Sequence, residues 1–360
     1  HLQDSQWKKR YIQPEAAQER ANRPPLFEQA PDEGPFTLTE LQASLSSFKG
    51  NKCLGPDGIQ NELLILLDAE GELALLEVLN GVYSQGFVPD SWKEAYVATI
   101  YKGKGSDTDP ANYRPISLLN AQYKLFAAMI QKRLAYKLET RLRDTQFGFR
   151  AKLGTRDSLF VLRRLMEWTT MTSHHTQLPF LDWKQAFDSV DHSAMMNALQ
   201  RFGLPKDCLT LIDSIYTLPS FTTRGFMGAE AHGVVNSGIR QGCPLSPYLF
   251  IIVISVIFKD LDDRLLQQGT PTNTWSEGKP VYDIEYADDT LLFALTTPQL
   301  QPILNALEWE AASYGMALNN TKTELLVKDS SSPNTFTFCD GSPVKTTTQV
   351  KYLGSLVSWD

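Results

Sequence analysis

The chain of 360 residues is predicted to adopt a mixed α+β fold, on three observations. Helical and strand-like periodicities follow one another without the regular strand–helix–strand rhythm of a doubly wound sheet. Two adjacent acids, Asp288 and Asp289, sit between short β-forming runs, Val281 to Glu285 and Thr290 to Ala294, which reads as a hairpin with carboxylates at its tip. A third acid, Asp182, closes another strand-like run, Leu178 to Leu181, 106 residues earlier.

The elements follow in order. Residues 1–36 are polar and proline-containing and are expected to form a loosely ordered lead-in. Thr37 to Glu40 has capping-box spacing, and Leu41, Leu45 and Phe48 continue it at helical intervals. The turn Gly55-Pro56-Asp57-Gly58 leads into helices through Leu63–Leu67 and Leu73–Tyr83. Ala95–Tyr101 and Tyr113–Leu118 read as a β-hairpin whose tip carries Lys102 and Lys104. An amphipathic helix is expected from about Ala121 to Leu138, with Lys124, Lys132, Arg133 and Lys137 around its apolar face. Gln146 to Arg150 is a turn-rich segment before a helix near Ser158–Trp168. The strand ending at Leu181 comes next, then a helix from near Asp191 closed by Gly203 and Pro205, and a further helix to about Tyr216. A hairpin through 221–239 precedes an apolar helix from Tyr248, and Thr297-Pro298 opens a helix ending at Gly315.

At 42% apolar and 21% charged residues the chain is globular and long enough for two or three subdomains. Cys53, Cys208, Cys243 and Cys339 lack paired metal-ligand spacing, which argues against a zinc knuckle or disulfide framework and suits a reducing intracellular compartment. The longest apolar run, Tyr248 to Phe258, is too short to span a bilayer. No signal peptide is visible, so no membrane partner is expected. The chain starts at His1 and stops at Asp360, and is expected to be a piece of a longer polyprotein. Net charge is −7, yet residues 90–165 hold fifteen Lys/Arg against seven Asp/Glu. One surface can therefore attract phosphates while the remainder stays acidic.

Adjacent buried carboxylates repel and call for a hard, oxygen-ligated cation, of which Mg²⁺ in phosphoryl transfer is the commonest. If the strand before Asp182 neighbours the hairpin, three acids converge on one sheet edge. Solvated turn chemistry for the pair and a helix cap for Asp182 are the alternatives. The loop Gly238 to Pro247 allows close backbone approach and carries Arg240 and Gln241, which could reach phosphate, sugar or base.

Phe180-Leu-Asp-Trp-Lys-Gln-Ala-Phe-Asp-Ser-Val-Asp-His192, Ile239-Arg-Gln-Gly-Cys-Pro-Leu-Ser-Pro247 and Tyr286-Ala-Asp-Asp289 resemble, in order, three catalytic motifs of reverse transcriptases from non-LTR (LINE-like) retrotransposons. Gly55 to Leu63, Asn112 to Asn120, Gln146 to Arg150, Asn319 to Glu324 and Lys351 to Ser355 resemble flanking motifs in family order. The resemblance implies a right-hand polymerase with fingers (37–177), palm (178–345) and a primer-grip-like segment (346–360), with the thumb absent or truncated. It implies an RNA-directed DNA polymerase extending a DNA primer on an RNA template with dNTPs. Two Mg²⁺ ions, or Mn²⁺ as a substitute, would be bound by Asp182, Asp288 and less directly Asp289, with the Trp183 carbonyl as a backbone ligand. Lys322 would be a general acid. Phe187 would be a steric gate against the 2′-hydroxyl. Lys102, Arg114 and Gln241 would hold the nucleotide. Arg150, Arg240, Gly242, Leu353 and Gly354 would face template and primer, with the basic helix 121–138 and segment 146–156 along the backbone.

The family's thumb, and the endonuclease and Cys/His-rich segments of many members, are expected in missing flanking sequence. A group II intron-type enzyme shares the palm motifs, and a catalytically silent RNA-binding scaffold is the alternative of a different class. The family life cycle implies a ribonucleoprotein in nucleus or cytoplasm.

Overall fold

The computed structural model describes residues 10–103, 105–109, 112–172, 176–224, 230–270, 272, 280–294, 297–327 and 336–359. Lys104 lies outside the described residues. The strands are β1 (Glu94–Tyr101), β2 (Tyr113–Leu118), β3 (Leu178–Leu181), β4 (Ser220–Arg224), β5 (Glu230–Val234), β6 (Asp283–Tyr286), β7 (Asp289–Leu292), β8 (Glu324–Leu326), β9 (Lys345–Thr347), β10 (Gln349–Tyr352) and β11 (Ser355–Ser358). They are interleaved with helices, as the periodicities predict. The chain divides into two units, one of His1–Arg10, Pro24–Arg141 and Phe187–Leu249, the other of Tyr11–Arg23, Leu142–Ala186 and Phe250–Asp360.

The first unit carries a four-stranded sheet ordered β2-β1-β4-β5. β1 and β2 form the expected antiparallel hairpin, while β1 pairs in parallel with β4. Ala95 and Val97 are buried, whereas the outer half of β1 is exposed, so the end carrying Lys102 projects into solvent. Helix Ala121–Leu138 buries Leu125, Phe126, Met129, Ile130 and Leu134. Its first turn is tied to the turn at 55–58, where Asp57 accepts from Ala121 N at 3.1 Å and the Asp57 amide donates to Asn120 Oδ1 at 3.1 Å. A Cβ at Gly55 would lie 2.4 Å from the Leu119 carbonyl, so this contact needs glycine.

The cations of helix 121–138 were expected along a nucleic-acid backbone, but three of them hold the protein's own N-terminal segment. Arg133 is buried, with Nε 2.6 Å from Glu40 Oε1 and Nη1 donating to the Gly34 carbonyl at 2.7 Å. Lys132 donates to the Ala43 carbonyl at 2.7 Å, and Lys137 pairs with Glu33 at 3.0 Å. Glu40 also closes the predicted capping box with Thr37, which fixes its carboxylate for Arg133. Nor is the lead-in loose over its described residues. Leu26 and Ala30 donate amides to the Arg201 and Gly203 carbonyls at 2.8 and 2.9 Å.

The second unit has a five-stranded sheet ordered β6-β7-β3-β8-β9 and the two-stranded pair β10-β11. Phe250 to Phe258 form its most buried helical segment, with Ser255 among them. Helix Pro14–Ala21 belongs to this unit, and the reason is electrostatic. Asp260 and Glu310 are buried, and a buried acid requires a partner. Arg23 supplies it, 2.7 Å from Asp260 Oδ2 and 2.7 Å from Glu310 Oε2, while Arg20 bonds the Ser313 carbonyl. Beneath β6, Arg143 bridges Asp262 and Asp283, 2.7 Å from each, and lies over the Phe258 and Tyr282 rings. Burial opposes its charge, but Asp283 first and Asp262 as well hold it firmly protonated.

Candidate active site

In the second unit, β6 and β7 pair with Tyr286 opposite Asp289, which leaves Ala287 and Asp288 as a two-residue hairpin loop. Ala287 has φ +58°, the left-handed region where a Cβ is disfavoured. The loop is braced from outside by residues 145–148. Gln146 is fully buried and its Oε1 accepts from Ala287 N and from Gly148 N, each at 2.8 Å. Its Nε2 donates to Glu285 Oε2 at 2.8 Å. Backbone bonds Phe147 N to Glu285 O (2.8 Å) and Glu285 N to Thr145 O (2.9 Å) align the two segments. A Cβ at Gly148 would fall 2.3 Å from Ala287 N, so only glycine allows this approach.

Asp182 reaches the same place from β3. The antiparallel register pairs Leu181 with Thr290, so the next pair outward sets Asp182 across from Asp289, on one face of the sheet. The Asp182 backbone is fixed on both sides: its amide donates to Thr323 Oγ1 at 3.2 Å and its carbonyl accepts from Asn319 N at 2.7 Å. Trp183 is buried and its indole donates to Thr290 Oγ1 at 3.1 Å. Lys322 Nζ stands 3.9 Å from Asp182 Oδ2, with both side chains substantially exposed.

Asp289 feels the other two acids. Lost hydration, then the charge of Asp288, then that of Asp182, push the Asp289 carboxyl up to about 6. Among the described residues no group of three or more His, Cys, Asp and Glu side chains is arranged to hold a metal ion. The donor chemistry of the trio nevertheless fits a hard cation, because all the donors are carboxylate oxygens and their mutual repulsion is what a divalent ion offsets.

The residues expected to hold nucleotide lie in the first unit. The Phe187 carbonyl accepts from Ile239 N at 2.7 Å. Asp188 is buried, and both its carboxylate oxygens accept from Gln241 Nε2 at 3.0 Å. The Gln241 carbonyl accepts from Ser117 N at 2.7 Å, and a Cβ on Gly242 (φ +115°) would lie 2.4 Å from the Ser117 carbonyl oxygen. The loop therefore runs hard against β2. On that hairpin, Arg114 is exposed and paired with Ile100, and Lys102 N donates to Asn112 O at 2.8 Å.

Two residues expected on template and primer also bond the protein itself. Arg240 is buried and gives its guanidinium to the Trp92 and Lys93 carbonyls, inside the fold. Arg150 donates to the Arg143 and Gln146 carbonyls at 2.9 and 3.0 Å, rigidifying the segment that braces the hairpin. Leu353 (φ +48°) and Gly354 (φ +83°) form the two-residue loop of the β10–β11 hairpin. Tyr352 just before them packs edge-on to Phe180 at 5.2 Å and shares a hydrogen bond with Ser158 at 3.2 Å.

Gln146, Asp188 and Thr323 are absent from the site residues the sequence predicts. Each lies in or beside a quoted motif, but a polar side chain that turns inward to bond backbone or another side chain leaves no periodic signature.

The sequence profile described as reverse transcriptase (RNA-dependent DNA polymerase) matches residues 101–357. The chain is 28% identical over 299 residues to the Transposon TX1 uncharacterized 149 kDa protein of Xenopus laevis, covering 83% of this chain and 22% of that protein. It is 26% identical over 294 residues to the RNA-directed DNA polymerase from mobile element jockey of Drosophila melanogaster (79% and 31% covered). It is 28% identical over 298 residues to the Retrovirus-related Pol polyprotein from type-1 retrotransposable element R2 of Popillia japonica (80% and 39% covered). The chain thus spans about a fifth to two fifths of the length of these relatives. Among solved structures, an apo telomerase from Candida Tropicalis matches with a TM-score of 0.49 at 14% identity, over 74% of this chain and 57% of that one.

Proposed function

The chain belongs to the reverse transcriptase (RNA-dependent DNA polymerase) family, and on that premise we propose that it extends a primer 3′-hydroxyl with dNTPs on an RNA template, within a non-LTR retrotransposon polyprotein. Relatives named for mobile and retrotransposable elements support that reading. So does the mixed α+β fold, in which helices and strands alternate. No helix among the described residues is long and apolar enough to cross a membrane. An intracellular ribonucleoprotein in nucleus or cytoplasm is the setting we propose.

One observation carries the chemistry: the β3–β7 register sets Asp182 next to Asp289, 107 residues later in sequence, with Asp288 in the adjoining loop. A pair of Mg²⁺ ions, when bound, would lower the pKa of the 3′-hydroxyl and offset charge on the leaving pyrophosphate. Asp182 and Asp288 would hold them, with the Trp183 carbonyl as backbone ligand and Asp289 in a less direct position. Mn²⁺ has compatible ligand chemistry. Lys322, already near Asp182, would deliver a proton to pyrophosphate. Arg114 and Lys102 would hold the triphosphate, the first by a bidentate fork and the second as a point charge. The Phe187 ring would press on C2′ of the sugar. Gln241 and Gly242 would line the nucleotide pocket, and Leu353 and Gly354 would meet the primer.

The test is primer extension on an RNA template with dNTPs and Mg²⁺, with Asp288→Asn as control. Extension by the parent chain and its loss in the variant are expected. Extension that the variant retains would sink the metal assignment.

A further inference from the structure

We propose that Gln146 is a positioning residue for the aspartate hairpin: it holds Ala287 in the left-handed conformation and so fixes the direction from which Asp288 is presented. The proposal rests on the polymerase reading above.

A two-residue loop with φ > 0 at its first position ordinarily takes glycine or asparagine there. This loop has alanine at +58°, a conformation that persists only where the surroundings over-determine it. Gln146 supplies that constraint. Its carbonyl oxygen accepts the Ala287 amide at 2.8 Å, a donor that the turn leaves without a ladder partner. The same oxygen accepts Gly148 N at 2.8 Å, which locks the side chain to its own loop. Its Nε2 is held by Glu285 Oε2 at 2.8 Å, which fixes which end of the amide faces Ala287. Glu285 is itself fully buried, on β6 with Asp283, which Arg143 anchors. Gly148 completes the fit, since a Cβ there would strike Ala287 N at 2.3 Å. Alanine without this brace has no reason to stay left-handed, and a relaxed Ala287 re-aims Asp288.

Gln146→Met keeps side-chain length and removes both hydrogen-bonding ends. In the metal-free chain, amide exchange across residues 283–290 is expected to accelerate by about tenfold while exchange in helix Ala121–Leu138 stays unchanged. Mn²⁺ binding, read by electron paramagnetic resonance, is expected to weaken severalfold. In primer extension kcat should fall on the order of 100-fold with dNTP KM little changed, as expected when a reacting group is misplaced while substrate binding stays intact. Gly148→Ala, which leaves Gln146 intact but pushes the segments apart, should reproduce all three effects.

A swap guards against simple misfolding. Gln146→Glu alone sets two acids against each other at the Glu285 position. Adding Glu285→Gln restores one amide and one carboxylate in reversed order, with the acceptor still facing Ala287, and should recover most of both exchange protection and kcat. Unchanged exchange at 283–290 in Gln146→Met overturns the proposal, and so does a double variant no better than Gln146→Glu alone. If the parent chain extends no primer, the polymerase reading fails, while exchange and Mn²⁺ binding still decide the role of Gln146.

Discussion

The side-chain amide of Gln241 donates to both carboxylate oxygens of Asp188, 3.0 Å from each, so a buried acid fixes the rotamer of a residue we propose to line the nucleotide pocket. A charged acceptor holds an amide more firmly than a neutral one. Asp188→Asn would keep the shape but present a donor to a donor across one of the two contacts. We expect dNTP KM to rise roughly tenfold, the scale of one hydrogen bond to a charged group, with Mg²⁺ dependence unaltered. Steady-state kinetics at varied dNTP check this; an unchanged KM would mean Gln241 needs no orienting.

Phe187 tests the sugar gate. Its carbonyl is pinned to Ile239 N at 2.7 Å, so truncating the ring should leave the backbone in place. Phe187→Ala is expected to lower the dNTP-over-rNTP preference by at least about tenfold, comparable to reshaping an apolar pocket. Competition between the two sugars is the measurement, and unaltered discrimination removes Phe187 from this role.

Asp289 tests the electrostatics of the trio. Because its carboxyl is pushed up to about 6, the folded chain binds more protons there than the unfolded chain between about pH 4 and 6, and stability falls as pH rises through that window. Above it, Asp289→Asn should be the more stable chain in EDTA, with a melting temperature higher by about 1–3 °C. Adding Mg²⁺ should narrow the gap by favouring the parent. A variant that melts lower than the parent in EDTA contradicts this account.

The opposite sign is expected at Glu40. Its hydrogen bonds to Arg133, together with the Thr37 cap, lower its carboxyl from 4.5 to about 2. Stability from this pair is therefore fully present above pH 4.5 and lost as pH falls toward about 2. Glu40→Gln should melt below the parent at neutral pH and converge with it at acid pH. Parallel melting curves at all pH values would show that Arg133 does not depend on this carboxylate.

How much of the molecule is legible in its sequence follows from particular residues. The hairpins and the capping box at Thr37 are local features, and the capping box forms as predicted because its bonds close within four residues. The pairing of β3 with β7 is not legible from local pattern, which leaves Asp182 equally a helix cap; the structure supplies it. The fate of the cations is not. Arg133, Arg150 and Arg240 read as phosphate contacts in one dimension, yet each bonds protein carbonyls. An arginine's role depends on which carbonyls or acids sit near it in space, and Glu33, Gly34 and Trp92 are distant in sequence from the residues they meet. The order of the lead-in is hidden for the same reason: Arg20 and Arg23 look solvated until Asp260 and Glu310 are known to be buried.

The placement of helix Pro14–Ala21 also sets a schedule for the ribosome. Arg20 meets the Ser313 carbonyl across 293 positions of sequence, and Arg23 meets Glu310 across 287. At roughly 5–20 residues per second, the first of these contacts waits on the order of 15–60 s after its arginine is made. The charge that Arg23 brings to Asp260 and Glu310 is delivered only if the early helix stays free to dock throughout that interval. Anything that binds the nascent N-terminal segment first would stall the second unit late, after most of its sheet has been made.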